Sequence, residues 1–435
     1  MATGGGSSTS SLGGREGRER RGNGLIRSSS SPAEVPVRQR IYASFYRFRY
    51  GWSFNSTIQF SNNSPVLVLG KLYIPERDTK PQSEGIPRHI LMFMDHFYSL
   101  PWMTYRCGFS PILSSSLTTD CGWGCMVRSG QMLLATVLHL HFLGRDWRLS
   151  SSDVTGHKIH RQILSWFGDS ESELCPFSIH RLMEAAYYHG NKPGDWFGPS
   201  QVSILIRDCV RRALREHINL QKLNIYVSHD CTVYIKDVQD IFESDLDQSL
   251  LVLVPVRLGS ESLNPIYIPC VKALLALDHT VGIIGGRPKH SVFFIGFQDE
   301  NLIHLDPHYS QTAVNMTRTD FDVSSYHCRS PKKIPVTKMD PSCTLGFYCH
   351  TLEDFNHFRI EAEKVLAPPM QKGQYPFFTF SNTRQKEIIS PEISMMDTSA
   401  LSLISSNGTL DLIESTWSEA DDFVVLECIN EDVPG

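Results

Sequence analysis

The chain has 435 residues, of which 41% are hydrophobic and 10% aromatic, enough for a packed core in one large domain or in two to three smaller ones. Its net charge of -5 divides into +4 over residues 1–40, about +2 over residues 41–386 and -11 over the remaining tail. A nearly neutral body argues against a nucleic-acid-binding protein, and the longest apolar run, residues 249–256, is too short to span a membrane.

The cysteines indicate a compartment. Eleven of them are scattered along the chain without a tight framework, and no N-terminal hydrophobic segment precedes them. This usage is typical of free thiols in a reducing environment, so we expect a cytoplasmic protein. The Arg-, Ser- and Gly-rich residues 1–40 also resemble an organelle presequence weakly, which leaves a second, organellar location open.

The first half of the chain is predicted to be mainly helical. Residues 1–40 form a disordered basic head, and organised sequence begins near Ile41 with a strand-like segment at 65–74. A helix then ends before Pro101. Apolar periodicity and glycine stops predict four more helices, the last with Ser200 as its N-cap, over residues 125–143, 158–166, 178–189 and 200–217.

The second half changes to short β-branched runs bounded by turn residues. These runs are predicted to be adjacent strands of a mostly antiparallel sheet, over residues 223–229, 249–259, 280–286, 290–297 and 301–308. Helices followed by a sheet, without an internal repeat, predict an α+β domain of two lobes. After residue 380 the composition becomes polar and acidic, and we predict a flexible tail.

A cysteine at the start of a predicted helix is the first candidate for chemistry. Cys125 lies within DCGWGCMVRSGQM, residues 120–132, where Gly122 and Gly124 allow a tight turn and leave space beside the sulfur. The N–H groups and partial positive charge of a helix N-terminus lower the pKa of a thiol, and only the thiolate attacks. The alternative is a buried, inert cysteine.

A partner for this thiol is predicted in HLDPH, residues 304–308. On an extended chain the side chains of Asp306 and His308 point the same way, and Pro307 makes that arrangement rigid. A carboxylate beside an imidazole fixes the ring and stabilises its charged form. Two alternatives stay open here, a surface turn after a strand and a metal site that would add His304. Because no second Cys/His cluster has ligand spacing, we expect neither a metal ion nor another cofactor.

Five motifs occur in the order found in the autophagins, the cysteine proteases of the autophagy pathway. The chain resembles the longer vertebrate members of this family over about residues 41–380, through TYR at 104–106, DCGWGCMVRSGQM at 120–132, GDWFGP at 194–199, VGIIGGRP at 281–288 and LDPH at 305–308. The resemblance implies a papain-like fold. It implies a protease domain at 41–380, between the head at 1–40 and a tail at 381–435.

The resemblance also assigns roles to residues. It makes Cys125 the nucleophile, His308 the base, Asp306 the carboxylate that orients it, and Tyr105 a donor to the developing oxyanion. The substrates of the family are ubiquitin-like autophagy modifiers, which are cleaved after a C-terminal glycine and released from phosphatidylethanolamine. We therefore expect these modifiers as partners, action at membranes only through the substrate, no nucleic acid and a monomeric enzyme.

Two further segments match parts of the family that control access of the substrate. Trp196 corresponds to a tryptophan that covers the active site, and Gly285, Gly286, Arg287 and Pro288 correspond to a loop that lifts before substrate binds. A narrow tunnel suits glycine because a β-carbon would clash. From the residues alone, Trp196 also fits a core aromatic, and the second segment also fits a hairpin turn.

The acidic tail contains a candidate binding motif. DDFVVL, residues 421–426, places Phe423 and Leu426 three positions apart after two acids, and such a peptide can add as a strand to a sheet edge. It resembles the short motifs that bind ubiquitin-like autophagy modifiers. This leaves an inactive or weakly active binding scaffold as an alternative function. A protease of ubiquitin itself, or an acyl transferase of the transglutaminase type, shares the same chemistry and is a third candidate.

Overall fold

The computed structural model describes residues 44, 60–76, 86–216, 220, 222–244, 248–287, 290–316, 320–366 and 376–385. The predicted tail motif, Phe423 and Leu426, and also Pro288, lie outside the described residues. The helices within them are α1 (Arg88–Ser99), α2 (Cys125–Leu143), α3 (Val154–Ser165), α4 (Ile179–Tyr188), α5 (Pro199–Glu216), α6 (Ile235–Ser244), α7 (Ile268–Leu275) and α8 (Leu352–Leu366). No helix of this part of the chain is long and apolar enough to cross a bilayer.

The strands form one large sheet and two small ones. They are β1 (Val66–Val68), β2 (Lys71–Tyr73), β3 (Tyr105–Cys107), β4 (Leu223–Val227), β5 (Thr232–Tyr234), β6 (Ser249–Arg257), β7 (Thr280–Arg287), β8 (His290–Gln298), β9 (Asn301–Leu305), β10 (Ser310–Thr312), β11 (Lys332–Pro335), β12 (Ser342–Cys349) and β13 (Thr379–Ser381). Among the described residues, the large sheet has the order β11-β9-β8-β7-β12-β6-β4, with β1 added to β8 and β2 to β1. Its pairs are antiparallel except β4–β6.

The order of the central strands differs from the prediction. The segments of β6 and β7 were predicted to be neighbours, but β12 lies between them and pairs with both. The eight residues of β12 are buried almost throughout, as expected for the middle of a sheet that is covered on both faces. Because β12 comes some 60 residues after β7 in the chain, the sequence order of the strands does not give their order in space.

Helix α2 lies at the centre of the molecule and leads to the candidate site. Its side chains are buried on nearly every face, which explains why its apolar residues show no clear amphipathic stripe. It packs against β7 and β8 on one side and against α3 and α5 on another. Gly144, with φ of 79°, ends the helix as predicted.

The start of α5 corrects one prediction. Ser200 was expected to be the N-cap, but the helix already begins at Pro199 and Ser200 lies within its first turn. Proline suits the first helical position because its fixed φ fits the helix and its missing N–H would have no helical partner there. The side chain of Gln201 accepts a hydrogen bond from the backbone N–H of Gly198 at 2.8 Å, so it satisfies a donor at this helix end instead.

Candidate active site

The cysteine predicted to be a nucleophile is the first residue of α2. It follows a turn in which Gly122 has a φ of 92°, a conformation that favours glycine. A β-carbon at Gly124 would lie 2.5 Å from Oδ2 of Asp120, so glycine is required there by close packing. Both glycines of the GWG sequence therefore serve to bring Cys125 to the helix N-terminus in this tight turn.

A buried ionic network holds the same turn. The guanidinium of Arg128 donates to Asp120 Oδ2 at 2.8 Å and to Asp169 Oδ1 at 2.8 Å, and all three side chains are almost completely inaccessible. Asp120 also accepts a hydrogen bond from the backbone N–H of Arg106 at 2.7 Å. The turn before Cys125 is thus fixed to α2, to β3 and to the segment after α3.

We expect Arg128→Met to lower the free energy of unfolding by about 3–5 kcal/mol, because it leaves two buried carboxylates without their cation. Urea unfolding followed by circular dichroism measures this loss. Arg181→Met is the matched control, since Arg181 forms a partly exposed pair with Glu184 at 2.9 Å and should contribute no more than about 1 kcal/mol. Equal losses in the two variants would contradict the importance of the buried network.

The predicted base and its carboxylate follow the end of β9. His308 Nδ1 and Asp306 Oδ1 are 2.7 Å apart, and the backbone N–H of His308 donates to the same oxygen at 3.0 Å. Lys332, on β11, donates to the other carboxylate oxygen at 2.8 Å, and Trp102 Nε1 donates to the Asp306 carbonyl at 2.8 Å. Asp306 is therefore held at both oxygens and at its backbone.

The thiol and the imidazole form an interacting pair. Burial alone would raise the pKa of Cys125, but the interaction of the thiol with His308 and the charge of that ring outweigh this effect, and the pKa is lowered. Burial would lower the pKa of His308, but the charge and hydrogen bond of Asp306 raise it to about 9. Burial likewise opposes the low pKa of Asp306, which the charge of His308 enforces. This arrangement favours a thiolate facing an imidazolium.

Tyr105 lies beside the pair. Its strand β3 runs parallel to β10, which begins two residues after His308, and the backbone N–H of Tyr105 donates to the carbonyl of Pro307 at 2.9 Å. The hydroxyl of Tyr105 lowers the pKa of Cys125, and its ring stands edge-on to His308 with centroids 5.4 Å apart. A hydroxyl in this position can donate to an oxygen that develops charge next to the sulfur.

The residues predicted to control access lie in different surroundings. Trp196 is 53% exposed in the segment before α5, so its interpretation as a core aromatic is wrong. Gly285, Gly286 and Arg287 form the end of β7 and pair with the start of β8, in register Gly286↔Ser291. Three residues of the GGRP segment are thus part of a hairpin arm in this structure.

The structure adds contacts that the sequence did not indicate. The backbone N–H of Ser291, on β8, lowers the pKa of Cys125, and the Ser291 hydroxyl donates to Ser129 Oγ on α2 at 2.9 Å. Lys332 and Ser291 come from strands whose register no local sequence pattern fixes. A signal for Lys332 was the polar pair KK at 332–333 in a strand, but nothing linked it to Asp306.

A set of possible metal ligands also lies here. One nitrogen each of His290 and His308 and an oxygen of Asp306 are within 4.8 Å of one another. However, the two imidazoles are stacked, with centroids 3.6 Å apart and planes 4° from parallel, so their nitrogen lone pairs lie in separate planes. The ammonium group of Lys332 is paired with Asp306 and would repel a metal cation bound there. His304 was the third ligand of the predicted alternative, but among the described residues it does not belong to this set, and its ring packs edge-on against Phe294.

We expect alkylation of Cys125 by iodoacetamide to remain fast below pH of about 8.5, where an ordinary thiol is protonated. Peptide mass spectrometry of Cys125 against pH measures this rate. Activity that needs the imidazolium should fall as pH rises through about 9. The contribution of His308 to the stability of the fold changes with pH in the same direction. Because the pKa of His308 is raised, this contribution is complete below pH 6.5 and is lost as the pH rises through about 9. An alkylation rate with a midpoint of 8.5 or above would contradict the ion pair.

Comparison with known sequences shows the family to which the chain belongs. The sequence model described as the Peptidase C54 catalytic domain matches residues 91–361, which include the whole constellation. The chain belongs to the peptidase C54 family. It is 39% identical over 419 residues to the human protein named cysteine protease ATG4C, covering 81% of this chain and 90% of that protein. It is 37% identical to cysteine protease ATG4D of Xenopus laevis, covering 81% and 82%, and to cysteine protease atg4da of Danio rerio, covering 83% and 84%.

Membership in the peptidase C54 family confirms the resemblance to the autophagins and makes the chain a cysteine protease of the autophagy pathway. The predicted α+β, papain-like fold is confirmed as well, with eight helices and a mostly antiparallel sheet in the described residues. The predicted domain boundaries at residues 40 and 380 stay predictions.

Proposed function

We propose that this chain is a thiol endopeptidase that cleaves ubiquitin-like autophagy modifiers after a C-terminal glycine. It would mature their precursors and release them from phosphatidylethanolamine. Both reactions break a bond between the glycine carbonyl and an amine, which is a peptide nitrogen in one case and the ethanolamine nitrogen in the other. One catalytic centre can therefore carry out both.

The observation that carries this proposal is the continuous chain of contacts from Cys125 through His308 to Asp306. A thiol of lowered pKa faces an imidazole of raised pKa, and the carboxylate at the other ring nitrogen is 2.7 Å away. Inert cysteines of the same chain behave in the opposite way, since burial raises the pKa of Cys175 to about 11 and that of Cys209 to about 12. The contrast favours the nucleophile over the buried structural thiol.

The chemistry follows from these positions. The thiolate of Cys125 attacks the glycine carbonyl, and the new oxyanion accepts hydrogen bonds from the Tyr105 hydroxyl and the backbone N–H of Cys125. The imidazolium of His308 then protonates the leaving amine, the C–N bond breaks and a thioester remains. Water, deprotonated by His308, attacks this thioester and releases the modifier carboxylate and the thiol.

Access to the site supports a requirement for glycine. Cys125 is only 8% exposed and His308 only 3%, so a substrate reaches the sulfur through a narrow passage or after neighbouring segments move. We propose that this passage is controlled by Trp196 and by the GGRP segment, which consists of Gly285, Gly286, Arg287 and Pro288. A residue with a β-carbon at the cleavage position would then be excluded by its size.

We propose that the tail contributes binding and not chemistry, through Phe423 and Leu426 docking on the edge of a modifier's sheet. The inactive scaffold then becomes a less favoured alternative, because the geometry of the thiol–imidazole pair has no use in a pure binding protein. We also propose that the enzyme is a cytoplasmic monomer that reaches membranes through its lipidated substrate.

The decisive experiment is cleavage of purified modifier precursors that carry a short extension after the glycine, followed by mass spectrometry. We expect cleavage directly after that glycine and none of a ubiquitin precursor. The same assay on a chain lacking residues 1–40 measures any restraint by the head.

Two substrate controls make the result specific. Replacing the substrate's terminal glycine by alanine should abolish cleavage, and a synthetic phosphatidylethanolamine conjugate should be cleaved by the same enzyme. Cleavage of ubiquitin in preference to the autophagy modifiers, transfer of the acyl group to an added amine in place of water, or equal cleavage of the alanine substrate would each contradict the proposal.

A further inference from the structure

The imidazole of His308 is enclosed by two aromatic rings. His290, the first residue of β8, stacks on its face with ring centroids 3.6 Å apart and planes 4° from parallel. Tyr105 stands edge-on against it at 5.4 Å and 81°. The next residue of β8, Ser291, lies beside Cys125: its backbone N–H lowers the pKa of that thiol, and its hydroxyl contacts the neighbouring Met126 Sδ at 3.3 Å. Two consecutive residues of one strand thus contact both members of the thiol–imidazole pair.

The hydrogen bond to Asp306 restrains the ring of His308 only in part. Rotation about the Cβ–Cγ bond carries Nδ1 away from Asp306, but a hydrogen bond tolerates a tilt of about 30°, and such a tilt displaces Nε2. A flat group in contact with the whole face of the ring opposes this rotation, since any turn breaks the stack. Edge-on contact with Tyr105 limits the motion less, because an edge touches only part of the ring.

His290 acts in this arrangement as a neutral flat group. Burial, and next the charge of His308, lower its pKa to about 3, so the ring is uncharged at neutral pH. Charged or titratable groups that act on it include Asp306, Arg287, His304 and His308. It meets His308 through the face of its ring and not through a ring nitrogen.

We propose that His290 is a positioning residue, which holds the plane of the His308 imidazole so that Nε2 faces Cys125 during proton transfer to the leaving amine. This rests on the catalytic roles of Cys125, His308 and Asp306 given under the proposed function. It adds a role for a strand residue outside the triad, and it predicts that the shape of this side chain matters while its ability to titrate does not.

The test compares two replacements of His290 of opposite shape. His290→Phe keeps a flat ring without a titratable group, and His290→Leu has bulk without a flat face. We expect kcat for precursor cleavage to stay within about 2-fold of the wild type in His290→Phe, and to fall about 5-fold in His290→Leu, the size of one aromatic contact. KM should be the same in all three proteins, because the substrate itself does not need the stack to bind.

Alkylation of Cys125 by iodoacetamide tests the competing role of a gate. This small reagent needs an accessible thiolate but no proton transfer to a leaving amine, so the rate should not rise in His290→Leu. A several-fold faster alkylation, or a higher KM with unchanged kcat, would make His290 a cover over the site and overturn the positioning role. Equal losses of kcat in both variants would overturn it too.

Two controls separate this proposal from the others. If wild-type cleavage does not depend on Cys125, the proposed function fails before His290 is tested; if it does and the two variants behave alike, only the positioning role fails. Thermal unfolding of each variant shows whether the fold is kept. His290→Asn, smaller and also without an aromatic face, replaces His290→Leu if that variant is unstable, and should show the same loss of kcat.

Discussion

Cys125→Ala should abolish cleavage of a modifier precursor, with a loss of about 10⁴-fold or more, while the protein stays folded. The reason is that covalent attack has no substitute nucleophile at the helix N-terminus, and the remaining oxyanion donors stabilise a charge that no longer forms. Single-turnover cleavage measured by gel or mass spectrometry gives the rate, and circular dichroism gives the fold. His308→Ala should cause a loss of the same order, because the two residues act as one unit.

Cys121→Ala is the matched control. Cys121 lies four residues before the nucleophile, belongs to the same small buried cluster and donates from its sulfur to Ser310 Oγ at 3.2 Å. Burial raises its pKa to about 12, so it is not a thiolate at neutral pH. We expect this variant to keep activity within about 3-fold of the wild type, as a small change in packing would allow. Full activity of Cys125→Ala, or loss of activity in Cys121→Ala, would contradict the assignment of Cys125 as the nucleophile.

Asp306→Asn should lower kcat by about 10²–10⁴-fold without unfolding the protein. The carboxylate accepts the hydrogen bond from His308 Nδ1 and stabilises the imidazolium by its charge, whereas a neutral amide lacks that charge and can donate its NH₂ group to Nδ1, which permits the wrong tautomer. The raised pKa of His308 should fall in this variant, so the thiolate of Cys125 should form only at higher pH. Steady-state cleavage and the pH dependence of Cys125 alkylation measure the two effects.

Asp354→Asn provides the comparison for this prediction. Asp354, on α8, accepts a hydrogen bond from the buried His279, with Nε2 and Oδ1 2.9 Å apart. The variant therefore changes the same kind of carboxylate–imidazole pair, away from the candidate active site. Both residues line a cavity with Leu140, which is fifteen residues along α2 from Cys125, or about 22 Å. We expect its kcat to be unchanged within about 2-fold. A loss below tenfold in Asp306→Asn would mean that the carboxylate does not orient the imidazole.

The sequence predicted the local elements well because their signals are local. Apolar periodicity and a glycine stop predicted the helix that begins at Cys125 and ends before Gly144, and β-branched runs predicted most strands of the large sheet. The Ser200 cap was wrong because Pro199 is itself a good first helical residue, and a serine after it offers no stronger signal.

Long-range pairing accounts for most of what the sequence did not predict. The insertion of β12 between β6 and β7, and the parallel pairing of β3 with β10, depend on contacts between segments far apart in the chain. The same holds for His290 and Lys332, which approach His308 and Asp306 through strand register. Cys125, His308 and Asp306 could be predicted as candidates because their motifs are short and specific. The contacts that hold them have no such motif.

The pairing of β3 with β10 has a consequence for the newly made chain. Tyr105 and Cys125 are synthesised about 180 residues before Asp306 and His308, and the ladder from Ser310 to Tyr105 joins the two regions. Until that ladder closes, the sulfur lacks its imidazole and remains an ordinary, weakly reactive thiol. Proteolytic activity therefore arises only when enough of the polypeptide has left the ribosome for β10 to pair with β3.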